Sequence, residues 1–600
     1  MNRLNREQLA ELREKLKRVN PGFIKVGLST CGVAAGAENI YKVFKRHKKE
    51  KNLKIDVRKC GCAGMCYAEP LVEVSLDGKS SVTYQQVTPE LAEKIIDQHI
   101  VGGKALEGHT YKAEGENKQL KLVLANCGKI NPESIDDYIA NDGYQAVAKV
   151  LSGCSREDVV DQLKISGLRG RGGGGFPTWM KWNFAKGVDA DKKYVICNGD
   201  EGDPGAYMDR SILEGNPHAI IEGMIIAGFT VGADQGYFYI RAEYPLAIAR
   251  IQKALDAAVK YGLLGENILG TSFDFNLQIR LGAGAFVCGE ETALIASIEG
   301  KRGYPSPRPP YPSVKGLWDK PTVINNVETL ANIPIIFSKG ADYFSKIGSK
   351  DSKGTKVFAL TGKVKNSGLV EVPMGTTLRE IVYSIGGGAL EGEVKAIQTG
   401  GPSGGVIPKE YFDTPVDYQN LQGLGSIMGS GGMIVIDQKD CMVDIAKFYM
   451  KFCVEEACGK CFPGRIGTYQ MLHYLKKISE ADATLRDLKL LEDIAYAVQR
   501  TALCGLGQTA PNPVISTLKY FRDEYLAHIN EKKCPAGKCK GLLAYKIIEE
   551  KCKRCGACIR VCPVEAISGN KEIGYKIDPK KCIKCGKCLE VCKFDAIKKG

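Results

Sequence analysis

Eight of the 23 cysteines in this 600-residue chain stand near its C-terminus and carry one spacing twice. Cys552, Cys555, Cys558 and Cys562 read C-x2-C-x2-C-x3-C, and Cys582, Cys585, Cys588 and Cys592 repeat it. At this spacing three thiolates clamp one iron–sulfur cubane and the fourth reaches across to a second. One [4Fe-4S] cluster then takes Cys552, Cys555, Cys558 and Cys592. The other takes Cys582, Cys585, Cys588 and Cys562. Paired C-x2-C units also hold zinc, but zinc needs four ligands per ion and no interleaved third cysteine. Lys593 follows the second motif where Pro563 follows the first. That alters a loop and removes no ligand.

Three further groups have ligand chemistry. Cys31 ends a predicted strand, FIKVGLST; Cys60, Cys62 and Cys66 follow a second, at 53–58, in KCGCAGMCYAEP. Two loops adjacent at one sheet edge can place four thiolates round a [2Fe-2S] rhomb; redox or structural thiols are the plain alternative. Cys458 and Cys461 lie in EEACGKCFPGRIGT, and Cys504 in TALCGLGQTAPNPV. Cys534 and Cys539 form a C-x4-C pair, with His528 upstream and Cys441 earlier. Three cysteines and a histidine suit a structural zinc; a histidine on a helix otherwise packs or faces water. Cys127, Cys154, Cys197 and Cys288 have no ligand spacing and read as small buried residues.

Length implies about three to five domains. A hydrophobic fraction of 44% is ordinary for a globular chain. No apolar run reaches the ~18 residues of a membrane span. The first twenty residues read as a charged amphipathic helix and not as a signal peptide, so a cytoplasmic, reducing setting is expected. There, so many cysteines argue for metal sites over disulfides. The net charge of +14 gathers in runs such as KRHKKEKNLK. No aromatics interleave these runs, which excludes nucleic acid as the favoured partner; a solvated face or a dock for an acidic electron carrier remains.

The elements that must position these groups follow from periodicity. A strand, a helix at 37–49, a second strand, a hairpin at 71–74 and 81–84 and a helix at 92–99 follow in that order. Residues 103–119 are polar and suit a linker. Gly-rich α/β sequence spans 120–345. Strand–turn–strand–helix follows at 355–430, and helical periodicity at 438–530. Within the α/β stretch, GLRGRGGGGFPTWMKW at 167–182 offers exposed N–H groups to a ligand, without the GK[ST] of a P-loop. NGDEGDPGAYMDR from Asn198, GAGAFVCGEETALIASIEGKRGYP from Gly282 and PTVINNVETLANIP from Pro321 also pack polar residues between glycine turns.

Together these segments resemble the flavin-bearing, NADH-oxidising subunit of respiratory complex I. TCGVAAGA with GCAGMCYAEP resembles thioredoxin-like [2Fe-2S] proteins, and the C-terminal repeat resembles two-cluster ferredoxins. The whole chain looks like the beta subunit of electron-bifurcating, NAD-dependent hydrogenases. The resemblance implies an α/β multidomain chain: a thioredoxin-like [2Fe-2S] domain (1–102), an FMN- and NAD(H)-binding α/β domain (120–345), a β-grasp, SLBB-like domain (355–430), a helical Fe–S domain (438–530), and a possible zinc site with a two-[4Fe-4S] ferredoxin domain (531–600).

It also implies FMN at Gly170, Arg171, Gly172, Lys181, Asn198, Asp200, Glu201, Gly289, Glu290, Glu291, Asn325, Asn326 and Thr329. The nicotinamide nucleotide falls to Phe176, Phe184, Asp203, Glu291, Arg308 and Tyr311, with Glu291 as the catalytic residue. Asp203 replaces a usual glutamate, Arg308 a lysine and Phe286 a tyrosine. The family usually reads CGKCxPCR where this chain has Gly464 in place of the third ligand. The third [4Fe-4S] cluster, near FMN, is therefore expected to be atypical, completed by Cys453, by a non-cysteine ligand, or reduced in size. Implied partners are a small [2Fe-2S] subunit, a hydrogenase or second redox subunit, and ferredoxin, with no nucleic acid and no membrane. The alternatives are a bifurcating ferredoxin:NAD(P)H oxidoreductase without hydrogenase, or a non-catalytic electron relay.

Overall fold

The computed structural model describes residues 3–17, 22–77, 80–111, 115–543 and 545–599. Part of the expected linker, 112–114, lies outside them. The chain forms two compact units, Met1–Val435 and Ile436–Gly600.

In the first unit, β1 (Phe23–Gly27) pairs parallel with β2 (Asp56–Cys60) and antiparallel with β3 (Val72–Ser75), which pairs with β4 (Val82–Tyr84). Ile24, Val26, Val57, Val72 and Val74 face the helix Ala37–Glu50, which buries Ile40 and Phe44 against them. β2 starts and ends later than the 53–58 expected, so Cys60 is its last residue and not a loop residue. The leading helix, Arg6–Lys17, buries Leu9 in the core of the glycine-rich region beside Ile135 and Ile139. Amphipathicity specifies a face to bury, not its partner.

The glycine-rich region folds on a parallel sheet, β5 (Tyr194–Gly199), β6 (Gln235–Arg241), β7 (Asn276–Gly282) and β8 (Thr322–Asn326), in the order β7-β6-β5-β8. Such strands are covered on both faces and read as apolar runs, as YVICNG does. The helix Pro217–Val231 is buried along nearly its whole length because it packs between the sheet and the helix Val327–Lys339. Next come β9 (Thr355–Gly362), β10 (Gly368–Pro373), β11 (Val394–Thr399), β12 (Val406–Pro408) and β13 (Gly432–Asp437), in the order β10-β9-β13-β11-β12 around Phe358, Leu360, Ile381 and Ile407.

The second unit packs the helices Met442–Glu456, Thr468–Ser479, Leu485–Thr501, Asn512–Tyr520 and Arg522–Asn530 round Met450, Leu475, Leu491 and Val514. It ends in two matched halves. β14 (Tyr545–Ile547) pairs with β17 (Ile597–Lys599), β15 (Ile567–Asn570) with β16 (Gly574–Ile577), and each cysteine motif opens a short helix, Ala557–Arg560 or Lys587–Glu590. Among the described residues no helix is long and apolar enough to cross a membrane.

Candidate active site and metal centres

Ligands of open parallel sheets bind beyond the carboxyl ends of the strands. Four segments meet there. β5 and β8 are neighbours, with Asn198 opposite Asn326. Asn198 Nδ2 donates to Gly289 O at 2.9 Å, which joins the second segment to the third. Asn326 donates to Asp209 Oδ2 at 2.6 Å and caps the helix Val327–Lys339. Asn325 Oδ1 accepts from Trp182 Nε1 at 2.8 Å. The glycine loop closes on itself where Gly170 N donates to Phe176 O, and Arg171 N donates to Thr329 Oγ1 at 2.8 Å. Gly172 lies against Asn326, where a Cβ would stand 3.1 Å from the asparagine Cβ.

The side chains divide by role. Lys181 Nζ pairs with Glu291 and donates to Ile324 O at 3.0 Å; Arg308 reaches Glu291 at 3.4 Å. Glu291 opens a helix, where its charge is favoured. Glu290 caps that helix through Thr292 N and Ala293 N, so its carboxylate is engaged by backbone. Glu201 accepts from Asp209 N and Arg210 N, both at 3.0 Å. Gly289 packs against Asp200, whose carboxylate lies 3.9 Å from Arg241. Ser430 donates to Asp203 at 2.8 Å. Burial pushes the Asp203 carboxyl up to about 6, against that hydrogen bond. The Arg171 guanidinium is wholly buried and donates to the carbonyls of Arg169, Lys353 and Thr355. It ties the loop to β9, leaving the loop backbone to meet a ligand. Phe176 on the glycine loop, Phe184 on the helix Thr178–Lys186 that follows it, and Tyr311 between the third and fourth segments are exposed aromatics. Exposed N–H groups on glycine turns, with no Cβ in the way, suit a phosphorylated flavin.

At the thioredoxin-like sheet edge three of the four expected cysteines converge. Cys66 hydrogen-bonds to both Cys31 and Cys62. The Cys66 bond and Arg210 hold the Cys31 thiol down at about 6. Cys60 is held by the strand, and the charges acting on it are those of Lys25, Glu69, Glu73 and Arg250. Burial pushes its thiol up to about 12. The phenol of Tyr207, which no ligand spacing marks, lies 3.4 Å from Cys66 Sγ.

In the second unit, Cys552, Cys555, Cys558 and Cys592 line one cavity with Ile547, Tyr575 and Ile597. This is the interleaved set the spacing predicts for one cubane. Cys441, His528, Cys534 and Cys539 are all buried, with their ligand atoms within 4.8 Å of one another. His528 Nε2 stands 3.3 Å from Cys441 Sγ and 3.3 Å from Cys539 Sγ; the two sulfurs are 3.7 Å apart. A tetrahedron with Zn–S near 2.3 Å has edges of about 3.6–3.8 Å. His528 Nδ1 bonds Glu524 O at 2.6 Å, which aims Nε2 at the thiols. Cys458, Cys461 and Cys504 are half-exposed, whereas Cys453 is buried in the helical core. A Cβ at Gly464 would stand 3.0 Å from Cys461 Sγ. Position 464 thus faces Cys461.

Comparison with known proteins agrees with this architecture. The Nuo51 FMN-binding domain model matches residues 163–335, and the NADH-ubiquinone oxidoreductase-F iron–sulfur binding region matches 444–528. An SLBB domain matches 357–407 and a 4Fe-4S dicluster domain 551–596. The NADP-reducing hydrogenase subunit HndC of Solidesulfovibrio fructosivorans is 57% identical over 76% of this chain and 93% of its own length. An NADH-quinone oxidoreductase subunit of Rhizobium meliloti is 43% identical over 69% of this chain and 99% of its own. A crystal structure of an H2-reduced NAD+-reducing [NiFe]-hydrogenase superposes with a TM-score of 0.62 at 27% identity, covering 88% of this chain and 90% of that one. The chain belongs to the family of FMN-binding, NADH dehydrogenase-type subunits of complex I and of hydrogenases. Within it, the chain is an oxidoreductase subunit with an FMN domain and 4Fe-4S regions.

Proposed function

We propose that this chain is the NAD(H)-oxidising flavin subunit of a soluble electron-bifurcating complex, with a hydrogenase as its partner enzyme and ferredoxin as a second electron carrier. The observation that carries the reading is the convergence of four glycine-turn segments at the carboxyl ends of β5 and β8. The relative named as an NADP-reducing hydrogenase subunit favours the hydrogenase over a bifurcating complex without one. FMN held there exchanges hydride with a nicotinamide and passes electrons on singly. The chain's residues need only orient the two ring systems. The glycine loop and the Asn198–Gly289 contact cradle the flavin; Phe176, Phe184 and Tyr311 offer faces to the nucleotide; Lys181 and Glu291 set the charge between them. Further cofactors are a [2Fe-2S] cluster at the N-terminal thiols, two ferredoxin-type cubanes, a zinc at Cys441, His528, Cys534 and Cys539, and a cluster at Cys458, Cys461 and Cys504. The test is whether NADH bleaches a flavin bound to the purified chain.

Gly464 makes one of these clusters distinctive. With Cys453 in the core, its fourth iron has no cysteine within the motif. We expect that iron to be labile: one-electron oxidation by ferricyanide releases it as Fe2+ and leaves a three-iron cluster, visible by EPR. Added Fe2+ with dithionite restores the cubane, and Gly464→Cys makes it resistant. Loss of the cluster in Cys453→Ser, or a wild-type cubane that survives oxidation, contradicts this.

A further inference from the structure

A two-iron cluster needs four donors, and the N-terminal site brings only three cysteines together. Cys60, the fourth candidate, is fixed by β2. Side chains alternate along a strand, so Cys60 shares the Asp56 and Arg58 face, where Arg58 Nε donates to Asp56 at 2.8 Å. Its parallel neighbour in β1 is Gly27, on the side that carries Lys25. It cannot turn toward Cys66 without breaking the end of the ladder.

A different atom faces the three thiols. Tyr207 Oη is 3.4 Å from Cys66 Sγ, and the same phenol feels the charges of Cys62 and Cys31. Tyr207 immediately precedes the helix Met208–Gly215, and that helix is bound to the cysteine loops along its length. Arg210 Nη2 lies 3.9 Å from Cys31 Sγ, with its guanidinium 5.5 Å from the Tyr207 ring centre. Glu214 accepts from Thr30 N at 2.9 Å and from Thr30 Oγ1 at 2.5 Å. At the helix end the backbones touch: a Cβ on Gly61 would stand 2.5 Å from Gly215 Cα. The helix that Tyr207 begins is therefore held against the cysteine loops near both of its ends.

The geometry points to Tyr207 as the fourth ligand of the N-terminal two-iron cluster, in a Cys31, Cys62, Cys66 and Tyr207 set that joins the thioredoxin-like fold to the flavin region. This rests on the [2Fe-2S] reading above. On assembly the phenol O–H bond breaks, an Fe–O bond forms to a ferric ion, and the proton leaves to solvent, as at a thiol ligand. An oxygen donor is harder than sulfur, so the ferric state gains and the cluster's potential falls relative to a four-thiolate cluster. The same helix carries Asp209, which binds Asn326. One short helix thus connects the cluster to the flavin site.

The test uses the full chain, purified anaerobically, with iron analysis, EPR and resonance Raman spectroscopy. Wild type should show tyrosinate ring bands in the Raman spectrum of the oxidised chain, and a two-iron EPR signal once dithionite has reduced the cluster by one electron. Tyr207→Phe should lose both irons of that cluster while retaining flavin, which reports that the unit is folded. Tyr207→Cys should keep the irons, lose the tyrosinate bands and raise the potential. Cys60→Ser should leave signal, irons and bands as in wild type. An unchanged cluster in Tyr207→Phe, or its loss in Cys60→Ser, overturns the assignment while the cofactor reading stands. A wild-type chain with no two-iron signal overturns the cofactor reading, and the ligand set with it.

Discussion

Replacing Cys539 by alanine should unfold much of the helical part of the second unit. Cys441, His528, Cys534 and Cys539 come from a helix start, a helix end and the turn beyond it, and they meet at one buried point. Thiols are weak hydrogen-bond donors, and four buried polar groups at 3.3–3.7 Å are poorly satisfied by one another. A zinc ion satisfies all four. Structural zinc supplies on the order of 10 kcal/mol in small domains. That is comparable to the whole stability of a domain. Even a loss of about 5 kcal/mol lowers a melting midpoint by roughly 10–20 °C. We expect one zinc per chain, its absence from Cys539→Ala, and a fall of that size in the unit's transition. His528→Gln should fall less, because it leaves three thiolates. Native protein without zinc, or a Cys539→Ala variant melting with wild type, contradicts the site.

Glu291→Ala should cost NADH oxidation about 10- to 100-fold while flavin stays bound. Glu291 pairs with Lys181 and lies 3.4 Å from Arg308, with about a quarter of its side chain exposed. Its removal leaves Lys181 with only the Ile324 carbonyl and Arg308 without its carboxylate. Hydrogen bonds to charged groups are worth ~1.5–3 kcal/mol, which sets the expected range. The backbone of the glycine loop and the Asn198–Gly289 and Asn326–Asp209 contacts are untouched, so FMN content should remain near wild type. Glu291→Gln separates charge from shape: if charge is what matters, it should fall with alanine. Wild-type turnover in Glu291→Ala would remove this residue from the nucleotide site.

How much of this was legible depended on distance along the chain. The ferredoxin repeat was readable because ligand spacing is local, and the cavity lined by Cys552, Cys555, Cys558 and Cys592 has the interleaving that spacing implies. The group of Cys441, His528, Cys534 and Cys539 was readable as residue types suited to a metal, and the structure brings the four together although they span nearly a hundred residues. Cys60 was misplaced because a strand boundary shifted by two residues turns a loop thiol into a strand thiol. Arg171 was expected at the flavin, yet its guanidinium meets the carbonyls of Lys353 and Thr355, far along the chain. Nothing in local sequence marks a carbonyl as the partner of a distant arginine. Tyr207 stood in a segment assigned to the flavin, and only the docking of a second fold against its helix brings a thiol to its oxygen. The leading helix likewise announced its apolar face and not the core that receives it.

The central claim is tested most directly by anaerobic titration of the purified chain with NADH, followed by absorbance and EPR together. The account predicts a bound flavin that bleaches on the first additions, followed by EPR signals of reduced iron–sulfur clusters as further NADH is added. A chain that carries no flavin, or whose flavin stays oxidised while NADH is present in excess, would contradict it.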